Sequence, residues 1–279
     1  MKYSIEKNTV QETLVIPLYG RKMCTKLYPD LYQDPAAIHL ISQLDYDFSL
    51  LEKRSSGLFH RFGFLEVAVR QNDLAWEVRD YLRAHPRAAV VNLGCGLDTT
   101  GRRCDNGTCK LYNLDLPEVI AVRDQLLPPG EREENIPCDL NDTGWCARID
   151  ASQGAVLFAS GVFYYFLTEQ IYAMIRAMAA AFPGGRLVFD GANPRAVKLI
   201  LKTWLKDAEI QNVGAYFAVT DARRELAPLA PGLRVSSRGY MLGYSDLRSP
   251  SVSPLFRLMA KLGDNAMGMQ IVRLDFGQP

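Results

Sequence analysis

Between residues 86 and 190 the chain alternates short apolar runs with segments of helical periodicity, and this alternation restricts the fold more than any other feature. Ala88 to Leu93 is rich in valine and ends at Gly94, as befits a strand buried on both faces of a parallel sheet. Lys110 to Leu114, Asn135 to Cys138, Ala155 to Ser160 and Arg186 to Phe189 read as four more strands. Helices fall between them. One begins at Pro117 and Glu118 and continues to Leu127; another, capped by Thr168, covers Glu169 to Phe182 and stops at Pro183-Gly184-Gly185. Crossovers this short return each strand parallel to the one before, which predicts an α/β, doubly wound sheet with helices on both faces.

The flanks read differently. Asp34 and Pro35 form an N-cap and first-turn pair, with Ile38, Ile41 and Leu44 following at helical spacing. A second helical pattern runs from about Phe62 to His85 and breaks at Pro86. After Asp190, Arg195 to Asp207 looks helical, and Leu233 to Met241 and Met269 to Phe276 read as strands. Prolines 228, 231, 250 and 254 predict mostly loop and edge structure from Pro228 to Pro254. The expected organisation is a helical cap over residues 1–85 and a core over 86–279 with an insertion at about 193–250, together one compact unit.

Composition narrows the partners. Hydrophobic residues are 48 % and charged residues 23 %, as in ordinary globular proteins, which excludes a disordered or collagenous chain. Lys and Arg total 32 against 31 Asp and Glu, so a net charge of +1 offers no general attraction for nucleic acid. The apolar run Ala155 to Phe166 is shorter than the ~20 residues of a membrane span. Met1 to Pro17 lacks the apolar region of a secretory signal, so a cytoplasmic location with six reduced cysteines is expected. No C-x-x-C pair occurs and there are only three histidines, so no zinc spacing can be written and no metal is expected.

In an open α/β sheet, ligands bind beyond the carboxyl ends of the strands, where the strand order reverses. The first core strand ends in Asn92-Leu93-Gly94-Cys95-Gly96-Leu97-Asp98-Thr99. Two glycines one residue apart let the backbone turn tightly and approach a ligand. A dinucleotide loop would carry a third glycine where Thr99 stands. Asp115, beside Leu116, lies about twenty residues beyond Gly94, at the end of the second strand, where a carboxylate accepts hydrogen bonds from both ribose hydroxyls. A nucleoside without a pyrophosphate describes S-adenosylmethionine. After the third strand, Asp139 and Leu140 have two readings of equal weight: an adenine contact, or a turn cap before Asn141-Asp142.

Val90 to Thr99, Asp105-Asn106-Gly107, Asp115-Leu116-Pro117-Glu118-Val119-Ile120, Ala159 to Phe166 and Glu12 to Arg21 together resemble the leucine carboxyl methyltransferase family, in its branch of bacterial tetracenomycin polyketide-synthesis methyltransferases. The resemblance covers most of residues 10–190. It implies a class I methyltransferase (Rossmann-like) fold with a seven-stranded sheet, a helical N-terminal cap and a substrate-covering insertion. It also implies S-adenosylmethionine as methyl donor, S-adenosylhomocysteine as product, and cofactor contacts from Gly94, Cys95, Gly96, Asp115, Leu116, Asp139 and Leu140. Arg70, in Ala68-Val69-Arg70-Gln71, matches the family's arginine for the methionine carboxylate, a pairing that suits the guanidinium fork. Relatives often carry glutamate after the fourth strand, where this chain has Ser160; serine cannot supply that charge, so any contact there passes to a backbone carbonyl or to water.

The function so implied is O-methylation of a small molecule by SN2 transfer, which asks the protein for alignment and exclusion of water rather than a nucleophile. The rival readings are a non-catalytic S-adenosylmethionine-binding or regulatory protein, a protein-carboxyl methyltransferase, and a nucleotide-dependent oxidoreductase, the last disfavoured by Thr99. Tyr164 and Tyr165 fall at the mouth of the site, one facing the acceptor and the other the core. Tyr164 is the candidate for positioning the acceptor, with Tyr19 and Arg21 from a lid-like cap; Arg21 reads equally well as a surface charge. A carboxylate acceptor is favoured over a phenol, because an acid of pKa about 4 is already ionised while a phenol of about 10 calls for a base. His39, His60 and His85 lie in or beside the N-terminal helices, which leaves His60 and Asp190 as the candidate bases.

Overall fold

A computed structural model of the chain describes residues 2–6, 12, 14–200 and 216–277. Seven strands form the sheet: Ala89–Leu93 (β1), Lys110–Asp115 (β2), Glu133–Pro137 (β3), Ala155–Ala159 (β4), Arg186–Gly191 (β5), Arg234–Gly239 (β6) and Gln270–Asp275 (β7). Their order across the sheet is β3-β2-β1-β4-β5-β7-β6. The pairs from β3 through β5 are parallel, and β7 is antiparallel to both β5 and β6. Because β1 lies between β2 and β4, the strand order reverses there, and the crevice beyond the ends of β1 and β4 is where such a sheet receives a ligand.

Ten α-helices accompany the strands among the described residues. Val15–Leu27 (α1), Pro35–Gln43 (α2), Ser49–Arg54 (α3) and Leu58–Ala84 (α4) precede the sheet. Thr100–Cys104 (α5), Pro117–Leu126 (α6) and Thr168–Ala181 (α7) are its crossovers. Pro194–Ile200 (α8), Ala222–Leu226 (α9) and Pro254–Ala266 (α10) follow β5. Alternation along the strands splits the core in two. Val90, Leu111, Val156 and Phe158 face Ala75, Val78 and Leu82 of α4, while Val91, Leu93, Leu114 and Leu157 face Ile171, Ile175 and Met178 of α7. No helix among the described residues is long and apolar enough to cross a membrane.

Several boundaries differ from the sequence reading for physical reasons. β3 begins at Glu133 rather than Asn135, because this edge strand is mostly half-exposed and carries no apolar run to mark it. β6 lies inside the span 193–250 expected as an insertion, so that span contributes the sheet's edge strand. Leu167, not Thr168, caps α7, and Gln170 Oε1 accepts from the Leu167 N–H at 2.7 Å. α10 was hidden among prolines: Ser253 accepts from the Phe256 N–H at 3.2 Å and Pro254 begins the first turn, a start signal read as loop. The part of the expected helix beyond Ile200 lies outside the described residues.

One face of α4 is ionisable, with Glu66, Arg70, Asp73, Glu77 and Asp80 at helical spacing. Glu77 meets Arg186, Arg273 and the Tyr244 hydroxyl, and Asp80 meets Arg186 at 2.9 Å. Asp73 is different: it is buried, its Oδ2 has no partner, and burial beside Asp264 and Glu77 pushes its carboxyl up to about 9, against the pull of Arg238. The folded protein therefore keeps a proton that the unfolded chain releases at about pH 4. Stability falls as pH rises from there towards about 9. Asp73→Asn should be more stable than wild type at pH 8 and should narrow that difference at pH 4, as read from urea unfolding midpoints at both values.

Candidate active site

Gly94 (φ +64°) and Gly96 (φ +46°) both take the left-handed backbone that side chains disfavour. A Cβ on Gly94 would lie 2.6 Å from Val162 Cγ1, and one on Gly96 3.1 Å from Leu14 Cδ2. The space beside the glycines is thus filled by the segment after β4 and by the cap, not left clear for a ligand as the spacing had suggested. The backbone itself remains the feature that can meet a ligand. The Gly96 N–H donates to Asp115 Oδ2 at 2.7 Å and the Leu116 N–H to Asp115 Oδ1 at 2.8 Å, which fixes the carboxylate at the end of β2. Burial raises the Asp115 pKa while these two donors oppose the rise. The Cys95 thiol is buried and its pKa raised by desolvation, so a contact from this residue would come from its backbone.

Two buried arginines hold this loop, and neither has a local sequence signal for the task. Arg123 of α6, 1 % exposed, donates to the carbonyls of Gly96 and Asp98 at 2.9 and 2.8 Å and to Asn135 Oδ1 at 3.2 Å. Arg21 of α1, 2 % exposed, donates to the Leu97 carbonyl at 2.7 Å and pairs with Asp34 and Asp98 at 3.2 and 3.3 Å. Its reading as a surface charge is therefore corrected: Arg21 ties the cap to the glycine loop. Tyr19 is buried within the cap, its ring stacked on Phe48 at 5.9 Å and edge-on to Phe64 at 6.2 Å.

The opposite side of the crevice is built around Arg70. A Cβ on Gly161 (φ +70°) would lie 2.8 Å from Arg70 Nη1, so a glycine is required where α4 meets the end of β4. Arg70 Nη1 pairs with Asp190 Oδ2 at 3.3 Å, and Asp190 Oδ1 accepts from the Gly161 N–H at 2.6 Å. Arg70 Nε is buried and has no partner. Burial disfavours the charge on Arg70, but Tyr240, Asp190 and Tyr164 outweigh it, so the guanidinium stays protonated. Tyr164 is 8 % exposed and turned inward, and burial followed by Asp190 raises its phenol well above the ordinary range. Tyr165 is the outward member of the pair at 46 % exposure.

Ser160 Oγ accepts from Gln71 Nε2 at 3.1 Å, and the Thr100 hydroxyl lies within hydrogen-bond reach of Gln71 and Asp98, so a neutral chain links the end of β4 to the glycine loop. Asp139 Oδ1 accepts from the backbone and side-chain nitrogens of Asn141 at 2.9 and 3.0 Å, the turn-cap geometry. Leu140 is buried, and its carbonyl accepts from Trp145 Nε1 at 3.3 Å. No group of three His, Cys, Asp or Glu side chains able to hold a metal occurs among the described residues.

The sheet order, the glycine turn after β1 and the carboxylate at the end of β2 define a class I methyltransferase. Residues 19–179, more than half of the chain, match the leucine carboxyl methyltransferase family. The protein belongs to that family and is an S-adenosylmethionine-dependent methyltransferase. It is 27 % identical over 244 residues, 87 % of either chain, to the tetracenomycin polyketide synthesis O-methyltransferase TcmP of Streptomyces glaucescens. Two solved structures share the fold. A methyltransferase-like protein from Thermobifida fusca has a TM-score of 0.57 at 15 % identity, with 83 % of this chain and 88 % of that one covered. A DUF574 family protein from Streptomyces avermitilis has 0.61 at 11 % identity, with 93 % and 97 % covered.

Arg123→Met should remove the donors from two carbonyls and strand Glu133 with one cation fewer. The expected loss of unfolding free energy is roughly 2–5 kcal/mol, measured by urea denaturation, and S-adenosylhomocysteine affinity should fall in whatever fraction stays folded.

Proposed function

We propose that this enzyme methylates an oxygen of a small-molecule acceptor, a carboxylate or a phenolic, polyketide-like compound, in the crevice beyond β1 and β4 and beneath the N-terminal cap. The carrying observation is a pair of opposite poles around one glycine turn. Asp115 has its carboxylate fixed at the end of β2, and Arg70 has a buried, unpartnered Nε at the end of β4. Those poles suit a nucleoside and an amino-acid carboxylate with no pyrophosphate between them. Gly94, Cys95, Gly96 and Leu116 would line the middle by backbone and apolar contact, and Ser160 would border the methionine end without adding charge.

S-adenosylmethionine, when bound, supplies a methyl group on a positively charged sulfur. The protein's own work is then alignment and dryness. Arg21 and Arg123 keep the loop in one geometry, Leu14 covers Gly96, and Val162 closes over Gly94. Tyr164 would help to orient the acceptor, and Tyr19 would stiffen the cap above it. The relatedness to TcmP supports an O-linked, polyketide-like product. The reading invokes no metal, no nucleic acid and no membrane, and it places the reaction in the cytoplasm.

Calorimetry with S-adenosylhomocysteine tests the assignment. Asp115→Ala and Arg70→Ala should each weaken binding by about 1.5–3 kcal/mol, the range for charge-assisted hydrogen bonds. Wild-type affinity in both variants would show that the ligand lies elsewhere.

A further inference from the structure

Two tyrosines at the mouth of the crevice face outward from a rigid support. The 3-10 turn Phe163–Tyr165 directly follows Gly161, which meets Arg70, and Val162, which covers Gly94. Beside that turn runs the segment 216–219. It is fastened at both ends: the Tyr216 N–H donates to the Tyr164 carbonyl at 2.7 Å, and the Val219 N–H to the Ala192 carbonyl, just past β5, at 2.9 Å. Phe163, Phe189 and Phe217 lock the turn, β5 and the segment together from beneath, all three buried, with ring centroids 5.0–6.5 Å apart. Side chains then sort by face. Along the segment Phe217 and Val219 are buried and Tyr216, 57 % exposed, points the other way; in the turn Phe163 and Tyr164 are buried and Tyr165 is left outside.

We propose that Tyr165 and Tyr216 form the wall that recognises the acceptor, taking against their rings the flat aromatic ring system that carries the methylated oxygen. This rests on the methyltransferase reading above and specifies the acceptor within it. The wall is continuous with the site. The same short stretch of chain that covers the glycine turn and meets Arg70 goes on to present Tyr165, so a ligand lying on the two rings has one end over the donor and the other towards solvent.

The rings themselves point to an aromatic ligand. Tyr28, Tyr32, Tyr81 and Tyr244 are anchored by hydrogen bonds from their hydroxyls, whereas Tyr165 and Tyr216 make neither a hydroxyl hydrogen bond nor a ring contact among the described residues. Their backbones are fixed and their faces are unused. A flat ring stacked on or set edge-on to a tyrosine gains more than an aliphatic body covering the same area. Because the support is already ordered, little of that gain is lost to immobilising the wall. Tyr164, packed with Ala192, Ala196 and Val197, backs the wall from inside.

The test uses the full chain saturated with S-adenosylhomocysteine and follows by calorimetry the binding of 2-naphthoate and of decahydro-2-naphthoate, its ring-saturated analogue of the same charge and nearly the same size. Wild type should bind 2-naphthoate about fivefold more tightly than the saturated analogue. Tyr165→Ala and Tyr216→Ala should each lose about fivefold in 2-naphthoate affinity, and with it most of that preference. Tyr165→Phe and Tyr216→Phe should keep both, and all four variants should bind S-adenosylhomocysteine as wild type does. The proposal is overturned if wild type fails to bind 2-naphthoate or binds the two probes equally, if either alanine variant keeps wild-type affinity for 2-naphthoate or loses S-adenosylhomocysteine, or if either phenylalanine variant loses 2-naphthoate. Failure of the wild-type protein itself to bind S-adenosylhomocysteine would remove the underlying assignment of the crevice, and this one with it.

Discussion

The loop from Gly94 to Asp98 holds its shape because two guanidinium groups, Arg123 from below the sheet crossover and Arg21 from the cap, donate to three consecutive stretches of its backbone carbonyls. A loop with two left-handed glycines has no ladder of its own to keep it in place. Buried charges are costly unless their partners are complete. Here Asp34, Asp98 and Glu133 supply the anions, and Asn92, Asn113 and Asn135 fill the remaining hydrogen-bonding positions around them. The return on that cost is geometric: Asp115 is presented at one fixed position, which an apolar clamp could not achieve.

α4 performs two tasks with two faces. Its apolar face binds the helix to β1 and β4, and its ionisable face runs from Asp80, paired with Arg186, up to Arg70 at the crevice. The helix is therefore both the support of the sheet and the carrier of its charged wall. Asp73 marks the junction. Burial beside Asp264 and Glu77 raises its carboxyl pKa, which disfavours a further negative charge between the ion-pair network and the site.

Much of this was legible in the sequence. Four of the five parallel strands, β1, β2, β4 and β5, were marked by apolar runs because such strands are buried, and Gly94, Gly96 and Asp115 stood out because the first turn of this fold constrains residue type at those positions. What escaped was of two kinds. The start of β3, the place of β6 at the edge of the main sheet and the whole of α10 were missed, because exposure dilutes the hydrophobic pattern at the edges and Pro254 looked like a breaker although it opens a helix. The loop-holding roles of Arg123 and Arg21 escaped because a helix position that looks solvated in one dimension is buried only by elements distant in the chain. Arg21 lies 77 residues from Asp98. No local pattern carries that information.

Ser160 leaves the end of β4 without a charge of its own, and the charge beside Arg70 is balanced from the neighbouring strand. With serine after β4, the negative charge opposite Arg70 comes from Asp190 at the end of the neighbouring β5, a short step across the sheet because β4 and β5 are paired in register from Val156 and Arg186 to Ala159 and Phe189. Asp190 also accepts from the Gly161 N–H, so it shapes the turn after β4 as well as neutralising the arginine. The serine hydroxyl is left free to join Gln71 and Thr100, which extends the hydrogen-bonded chain to Asp98 and hence to Arg21. One continuous polar path therefore runs from the end of β4, through the glycine loop, to the cap.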